Sequence, residues 1–199
     1  MKWLNRLEIL LTFALIIACL GALGLLAMTA GMAFFGTPNG GGIPLRVYDL
    51  PIEGLAAGDA TIGNVAAEVM VRPQGPAPLA GLLYLLMWAP GAATGLLAVF
   101  TLVRALRRAR SGDRALFSAD TARLLRRFGC ILIVGSLVSA VIGTVAEVML
   151  SSMLLTESYP FYGPSAVQLV AIFGGFVALG VSEIVRRGVA LLEEVEATI

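Results

Sequence analysis

Residues 9–35 read ILLTFALIIACLGALGLLAMTAGMAFF, a run without a single charged side chain. A helix rises 1.5 Å per residue, so about 20 apolar residues cross a hydrocarbon core about 30 Å thick. Because lipid offers backbone amides no hydrogen-bond partners, a segment that crosses it must bond its own amides and is expected to be helical. This stretch therefore predicts a membrane-spanning helix and decides the fold class.

Three further apolar runs have the length and composition of membrane spans. They cover residues 78–103, 128–148 and 165–182. The whole chain is 58% hydrophobic and only 14% charged, whereas an ordinary soluble domain carries roughly 25% charged residues. We therefore predict an all-α membrane protein with four transmembrane helices, forming one integral membrane domain over residues 1–199.

Basic residues are distributed unevenly between the two sides of the predicted spans. Of the 14 Lys and Arg residues, Arg46 and Arg72 lie between spans one and two, and the others lie in the two tails and in loop 104–127. Cytoplasmic segments carry the excess of basic residues. Both termini and this loop are therefore predicted to be cytoplasmic, which leaves segments 36–77 and 156–164 outside.

The use of arginine almost to the exclusion of lysine is typical of a GC-rich bacterial genome, since Lys2 is the only lysine. We accordingly expect a multi-pass protein of the bacterial cytoplasmic membrane, with the lipid bilayer as its first partner.

The first outer segment, 36–77, contains two stretches with strand-forming residues. It opens with the turn-rich Gly36–Gly42, and extended stretches follow at Ile43–Ile52 and Thr61–Val71. Alternating valines and aromatic residues favour strands. We predict a small extracytoplasmic β-hairpin here, although Ala66–Met70 is equally compatible with a helix.

Catalytic and metal-binding patterns are missing from the sequence. The chain has no histidine, which removes the commonest general base and the commonest metal ligand. It has no nucleophile elbow, phosphate-binding loop or paired-cysteine motif. We therefore expect no enzymatic activity, no catalytic or metal site and no cofactor. Direct nucleic-acid binding is not expected either, because no aromatic residues or DNA-binding motif accompany the loop arginines.

The predicted spans offer little for a transport mechanism but much for helix packing. Proton-coupled carriers usually need an ionisable residue near the bilayer centre, and Glu147 is the nearest candidate, although it lies near a span end. Small residues spaced four apart let helices approach closely, either within the chain or in a homo-oligomer. Such steps are Gly91 to Gly95, Ser139 to Gly143, Ala171 to Gly175 and Gly174 to Ala178.

The loop 104–127 and the tail 183–199 are the predicted cytoplasmic segments. In the loop, Ser118 is placed to cap a helix that runs through residues 119–127 into span three. In the tail, three glutamates lie beside an apolar helical stripe, so we expect it to dock on the arginine loop or on a partner. Our candidate partner-binding residues are Arg107, Arg108, Phe117, Ser118, Arg123, Arg126, Glu193, Glu194 and Glu196.

Two motifs in these segments resemble a known family. The loop contains GDRALFS at 112–118 and RLLRRFG at 123–129, and the tail ends in RGVALLEEVEATI at 187–199. They resemble the signatures of the bacterial membrane-protein family named domain of unknown function 2975. Ala115-Leu116 stands where a single proline is frequent, and Ala197 stands where leucine is usual.

The resemblance implies no known biochemistry. Members of that family are often encoded beside a small helix-turn-helix regulator, which implies a membrane partner for a transcription factor. Our hypothesis is therefore a regulatory or sensory membrane protein whose cytoplasmic loop and tail engage a soluble partner such as a helix-turn-helix regulator. The alternatives are a transporter or channel component, or an assembly subunit of a larger membrane complex.

Overall fold

A computed structural model of the chain describes residues 2–36, 42–48, 66–73, 75–109, 119–155, 159–160 and 165–198. The elements, in chain order, are α1 (Lys2–Phe35), β1 (Ile43–Tyr48), β2 (Ala66–Val71), α2 (Pro78–Ala109), α3 (Ala119–Leu154), β3 (Tyr159–Pro160) and α4 (Ala166–Thr198). Within these ranges four helices are long and apolar enough to cross a membrane, which confirms the predicted fold class. The cytoplasmic placement of both termini stays a prediction.

The helices carry large apolar side chains on their outer surfaces. Phe13 on α1 is 61% exposed, and Phe173 on α4 is 70% exposed. The most apolar window of α1 has no buried residue. Exposing this much apolar surface to water is unfavourable, whereas lipid accepts it without penalty. The chain is therefore a multi-pass membrane protein.

The chain divides into two compact units. The first comprises Met1–Leu23, Pro90–Ala140 and Pro164–Ile199, and the second comprises Gly24–Ala89 and Val141–Gly163.

A three-stranded antiparallel sheet belongs to the second unit, in the order β2-β1-β3. The central strand β1 pairs with β2 from Ile43↔Val71 to Tyr48↔Ala66, and with β3 through Val47↔Pro160 and Tyr48↔Tyr159. Side chains of β1 alternate between buried and less buried positions. Ile43 and Leu45 are fully buried, while Arg46 between Leu45 and Val47 is exposed. This period of two explains why the segment forms a strand with one apolar face.

The predicted outer strands are only partly within the described ranges. Residues 66–71 form a strand and not a helix, so the alternative left open for Ala66–Met70 resolves toward β structure. Residues 49–52 and 61–65, and any hairpin turn between them, lie outside the described residues. The third strand, Tyr159–Pro160, was not predicted.

The buried face of the sheet belongs to the hydrophobic core of the second unit. Residues from three helices and β1 form this core: Met32, Ile43, Leu45, Ala80, Leu83, Tyr84, Ala146 and Leu150. Helices α1 and α2 approach closely here, because a Cβ on Gly81 would lie 2.8 Å from the Cβ of Ala33. Nearby, the indole Nε1–H of Trp88 donates a hydrogen bond of 3.3 Å to Oγ1 of Thr29. Glycine at position 81 therefore permits both contacts.

In the first unit, helices α3 and α4 meet at two glycines. A Cβ on Gly129 would lie 2.8 Å from the carbonyl oxygen of Gly175, and a Cβ on Gly175 would lie 2.9 Å from that of Gly129. Backbones can come this close only where neither residue has a side chain. Gly175 is the second member of the predicted Ala171 to Gly175 step, so this step serves packing within the chain.

Helices α2 and α3 also pack through small residues in the first unit. A Cβ on Gly135 would collide with the side chain of Thr94, and a Cβ on Gly91 would lie 3.1 Å from Oγ of Ser139. Gly95, the other member of the predicted GxxxG step, faces open space. Of that step, only Gly91 therefore lies at a helix contact within the chain.

Both later helices begin near their predicted positions. Helix α3 starts at Ala119 and continues unbroken to Leu154, as expected for residues 119–127, while Ser118 lies outside the described residues. Helix α4 begins with a capping box. The amide of Ser165 donates to Oε1 of Gln168 at 2.8 Å, and the amide of Gln168 donates to Oγ of Ser165 at 3.3 Å. Two amides at the helix start are thereby satisfied.

Candidate anion-binding site

Arginine side chains from the end of α2 and the start of α3 line one cavity in the first unit. The volume of this cavity is about 610 Å³. We name it the arginine cavity. Its basic residues are Arg104, Arg108, Arg123, Arg126 and Arg127, and its other lining residues are Asp120, Leu124 and Cys130.

Helical spacing brings these residues to one place. Arg104 and Arg108 are four residues apart on α2, and Arg123 and Arg127 are four apart on α3. Residues at this spacing lie on the same face of a helix, one turn apart. The cavity forms where the basic face of α2 and the basic face of α3 border the same space.

Positive charge is in excess around the arginine cavity. Among the described residues, Asp120 is the only carboxylate that lines the cavity; it lies 3.4 Å from Nη1 of Arg123, and both side chains are mostly exposed. Such an exposed pair contributes about 0–1 kcal/mol. For Arg104, Arg126 and Arg127 the structure shows no ion pair within the ranges it describes. Within those ranges, the charge of these three guanidinium groups is therefore not balanced by a carboxylate.

A second cavity, of about 600 Å³, is lined by residues of α3 and α4. Arg123 and Arg126 line this cavity as well as the first one. On α4 the basic residues share a carboxylate, since Glu183 accepts hydrogen bonds of 2.9 Å from both Arg186 and Arg187 and balances one of their two charges. The excess of positive charge thus concentrates on α2 and α3.

The structure brings three of the predicted partner-binding residues together. Arg108, Arg123 and Arg126 all line the arginine cavity. Arg107 does not; its Nε donates to Oε1 of Glu8 at 3.2 Å, and this ion pair joins α2 to α1 within the first unit.

The side chains of most other predicted partner-binding residues lie outside the part of the chain that the structure describes. Phe117 and Ser118 lie outside the described residues, as do the side chains of Glu193 and Glu196. Glu194 is exposed near the end of α4. Docking of the acidic tail on the arginine loop stays a prediction.

Sequence reasoning did not select Arg104, Arg127, Asp120, Leu124 or Cys130 as site residues. Arg104 and Arg127 were interpreted as residues that set the membrane orientation. The four-residue spacing of Arg104 to Arg108 and of Arg123 to Arg127 was the signal that could have identified them. That the two pairs border one cavity depends on how α2 packs against α3, which spacing alone does not reveal.

The chemistry available at the cavity is recognition of anions. A guanidinium group presents several N–H donors in a planar fork that matches the oxygens of carboxylate and phosphate groups. Across the part of the chain that the structure describes, no three His, Cys, Asp or Glu residues lie close enough together to hold a metal ion. The arrangement fits a negatively charged ligand or partner surface.

Comparison with known proteins gives one match. The family model described as protein of unknown function (DUF2975) matches residues 44–199, which is more than half of the chain. This range contains all the arginines of the arginine cavity. No curated protein and no solved structure matches the chain.

Proposed function

The chain belongs to the DUF2975 family of proteins of unknown function, and from this premise we propose that it is a regulatory membrane protein that holds a soluble partner at its arginine cavity. The partner presents carboxylate groups to the guanidinium groups of α2 and α3. A helix-turn-helix regulator with an acidic surface is the kind of partner we propose. The protein is located in the bacterial cytoplasmic membrane, with the arginine cavity, both tails and the loop 104–127 on the cytoplasmic side.

One observation carries this proposal: among the described residues, five arginines and one carboxylate line a single cavity. Maintaining like charges close together opposes folding, because the groups repel one another. A bound acidic surface relieves this repulsion and gains charge-assisted hydrogen bonds, each stronger than a neutral one. A partner contact of this kind is also readily reversed, since exposed ion pairs are weak individually and are screened by salt.

Binding of the full-length protein to a purified helix-turn-helix regulator, of the kind encoded beside members of the family, tests the proposal. The protein is reconstituted in nanodiscs of zwitterionic lipid, and the affinity is measured by biolayer interferometry at two salt concentrations. We expect binding that weakens as salt rises, and that Arg126→Glu abolishes.

The control is Arg187→Gln, which removes an arginine of α4 that does not line the cavity and pairs with Glu183. It should leave the affinity unchanged, because Arg187 lies outside the proposed contact. Absence of binding at low salt, or equal binding by the Arg126→Glu variant, would refute the proposal.

A further inference from the structure

We propose that the arginine cavity is a binding site for a ligand that carries at least two phosphate groups. This inference goes beyond the proposed function and stands without it, because a small phosphate ligand requires no second protein. It rests on the composition of the cavity, on its size and on its position along α2 and α3.

Composition points to phosphate chemistry. The basic lining of the cavity consists of guanidinium groups, which bind phosphate oxygens through two parallel hydrogen bonds. Among the described residues, five such groups and one carboxylate line the cavity. A ligand with two phosphate groups brings several negative charges in a small volume, so it balances this excess more completely than a single carboxylate can.

The number of basic residues follows from the positive-inside rule, but their convergence does not. That rule requires only that arginines lie in the cytoplasmic loop and tails. Arg107 satisfies it while paired with Glu8 outside the cavity. Arg104, Arg126 and Arg127, by contrast, line a common volume of about 610 Å³ without an ion-pair partner in the described ranges. This volume accommodates a diphosphate together with further ligand atoms.

The cavity also has an apolar side. Leu124 and Cys130 line it together with the arginines, and Cys130 is followed directly by the apolar residues 131–134 of α3. A phosphate ligand can therefore come from two sources: a soluble phosphorylated compound, or the headgroup of an anionic phospholipid. Both share the chemistry that the cavity recognises.

Cys130 supplies a reporter for occupancy of the site. The chain contains two cysteines, and Cys19→Ser leaves Cys130 as the only thiol. The full-length variant is placed in nanodiscs of purely zwitterionic lipid or of lipid that includes cardiolipin, an anionic phospholipid with two phosphate groups. The rate at which a water-soluble maleimide modifies Cys130 is measured by mass spectrometry, with inorganic pyrophosphate or with sodium chloride at equal ionic strength.

In zwitterionic nanodiscs we expect pyrophosphate to slow the modification of Cys130. At a pyrophosphate concentration about ten times the dissociation constant, the rate should fall about tenfold, because the fraction of protein with an empty site falls about tenfold. Arg126→Gln or Arg127→Gln should weaken the affinity about tenfold each, as loss of a charge-assisted hydrogen bond does. Arg127→Lys should also weaken the affinity, since lysine keeps the positive charge but cannot form the two parallel hydrogen bonds of a guanidinium group. Arg187→Gln, on α4 and outside the cavity, should leave the affinity unchanged.

Protection by pyrophosphate in zwitterionic nanodiscs identifies a soluble phosphate compound as the ligand. Arginine-dependent protection that appears with cardiolipin, whose headgroup carries two phosphate groups, and that pyrophosphate does not increase, identifies a lipid headgroup. Either result supports the site. The proposal fails if Cys130 does not react in the ligand-free protein, if neither source protects it, or if protection persists in the Arg126→Gln and Arg127→Gln variants.

Discussion

At the scale of single residues, the contact of Gly129 with Gly175 determines how closely α3 and α4 pack. A Cβ at position 175 would lie 2.6 Å from Cγ1 of Ile133 and 2.9 Å from the carbonyl oxygen of Gly129, so Gly175→Ala forces the helices apart. Overpacking of this kind costs about 1–3 kcal/mol. We predict that Gly175→Ala lowers the melting temperature of the purified protein in detergent.

A glycine elsewhere on α4 provides the matched control. A Cβ on Gly180 meets no atom within 4 Å. Because alanine favours a helix over glycine by about 0.5–1 kcal/mol, Gly180→Ala should leave the melting temperature unchanged or raise it. Equal melting temperatures for the two alanine variants would show that the close approach at Gly175 does not contribute to stability.

At the scale of elements, β1 depends on its buried face. Leu45 is fully buried in the core of the second unit, and truncating a buried leucine to alanine costs about 2–5 kcal/mol. Leu45→Ala should therefore lower the melting temperature markedly and make the segment that contains β1 and β2 susceptible to protease.

The control is Met70→Ala on the neighbouring strand β2, where the side chain is 61% exposed. This change should alter stability by only about 0.5 kcal/mol. Comparable losses for the two variants would contradict a buried face on β1.

The elements also differ in how well the sequence predicts them. The four long helices were predictable because lipid demands long apolar segments, and residues 9–35 contain no charged side chain. Strand β3 was not predictable, since two residues, Tyr159 and Pro160, carry no periodicity. Three of the five arginines that line the cavity, Arg108, Arg123 and Arg126, were selected for their position in the loop. Arg104 and Arg127 were missed, because their contribution depends on the packing of two helices that a loop separates in sequence.

At the scale of the whole molecule, the distribution of arginines predicts the orientation in the membrane. A fluorescent protein fused after Ile199 should fluoresce in the cytoplasm, while alkaline phosphatase fused within segment 36–77 should be active outside it. The physical reason is that cytoplasmic segments keep the basic residues, and only Arg46 and Arg72 lie in the predicted outer segments. An active phosphatase at the C-terminus would reverse the predicted orientation, and with it the cytoplasmic location of the arginine cavity.

The central position of β1 in its sheet has a consequence for biosynthesis. The ribosome makes β1 and β2 before α2, but it makes β3 only after α3 is complete. A nascent chain that stops after α2 therefore has Val47 and Tyr48 without their partners on β3. Such an edge carries unpaired N–H and C=O groups, which favour association with other strands. Completion of the sheet must then be a late event in the maturation of this chain, and it marks molecules whose synthesis has passed Pro160.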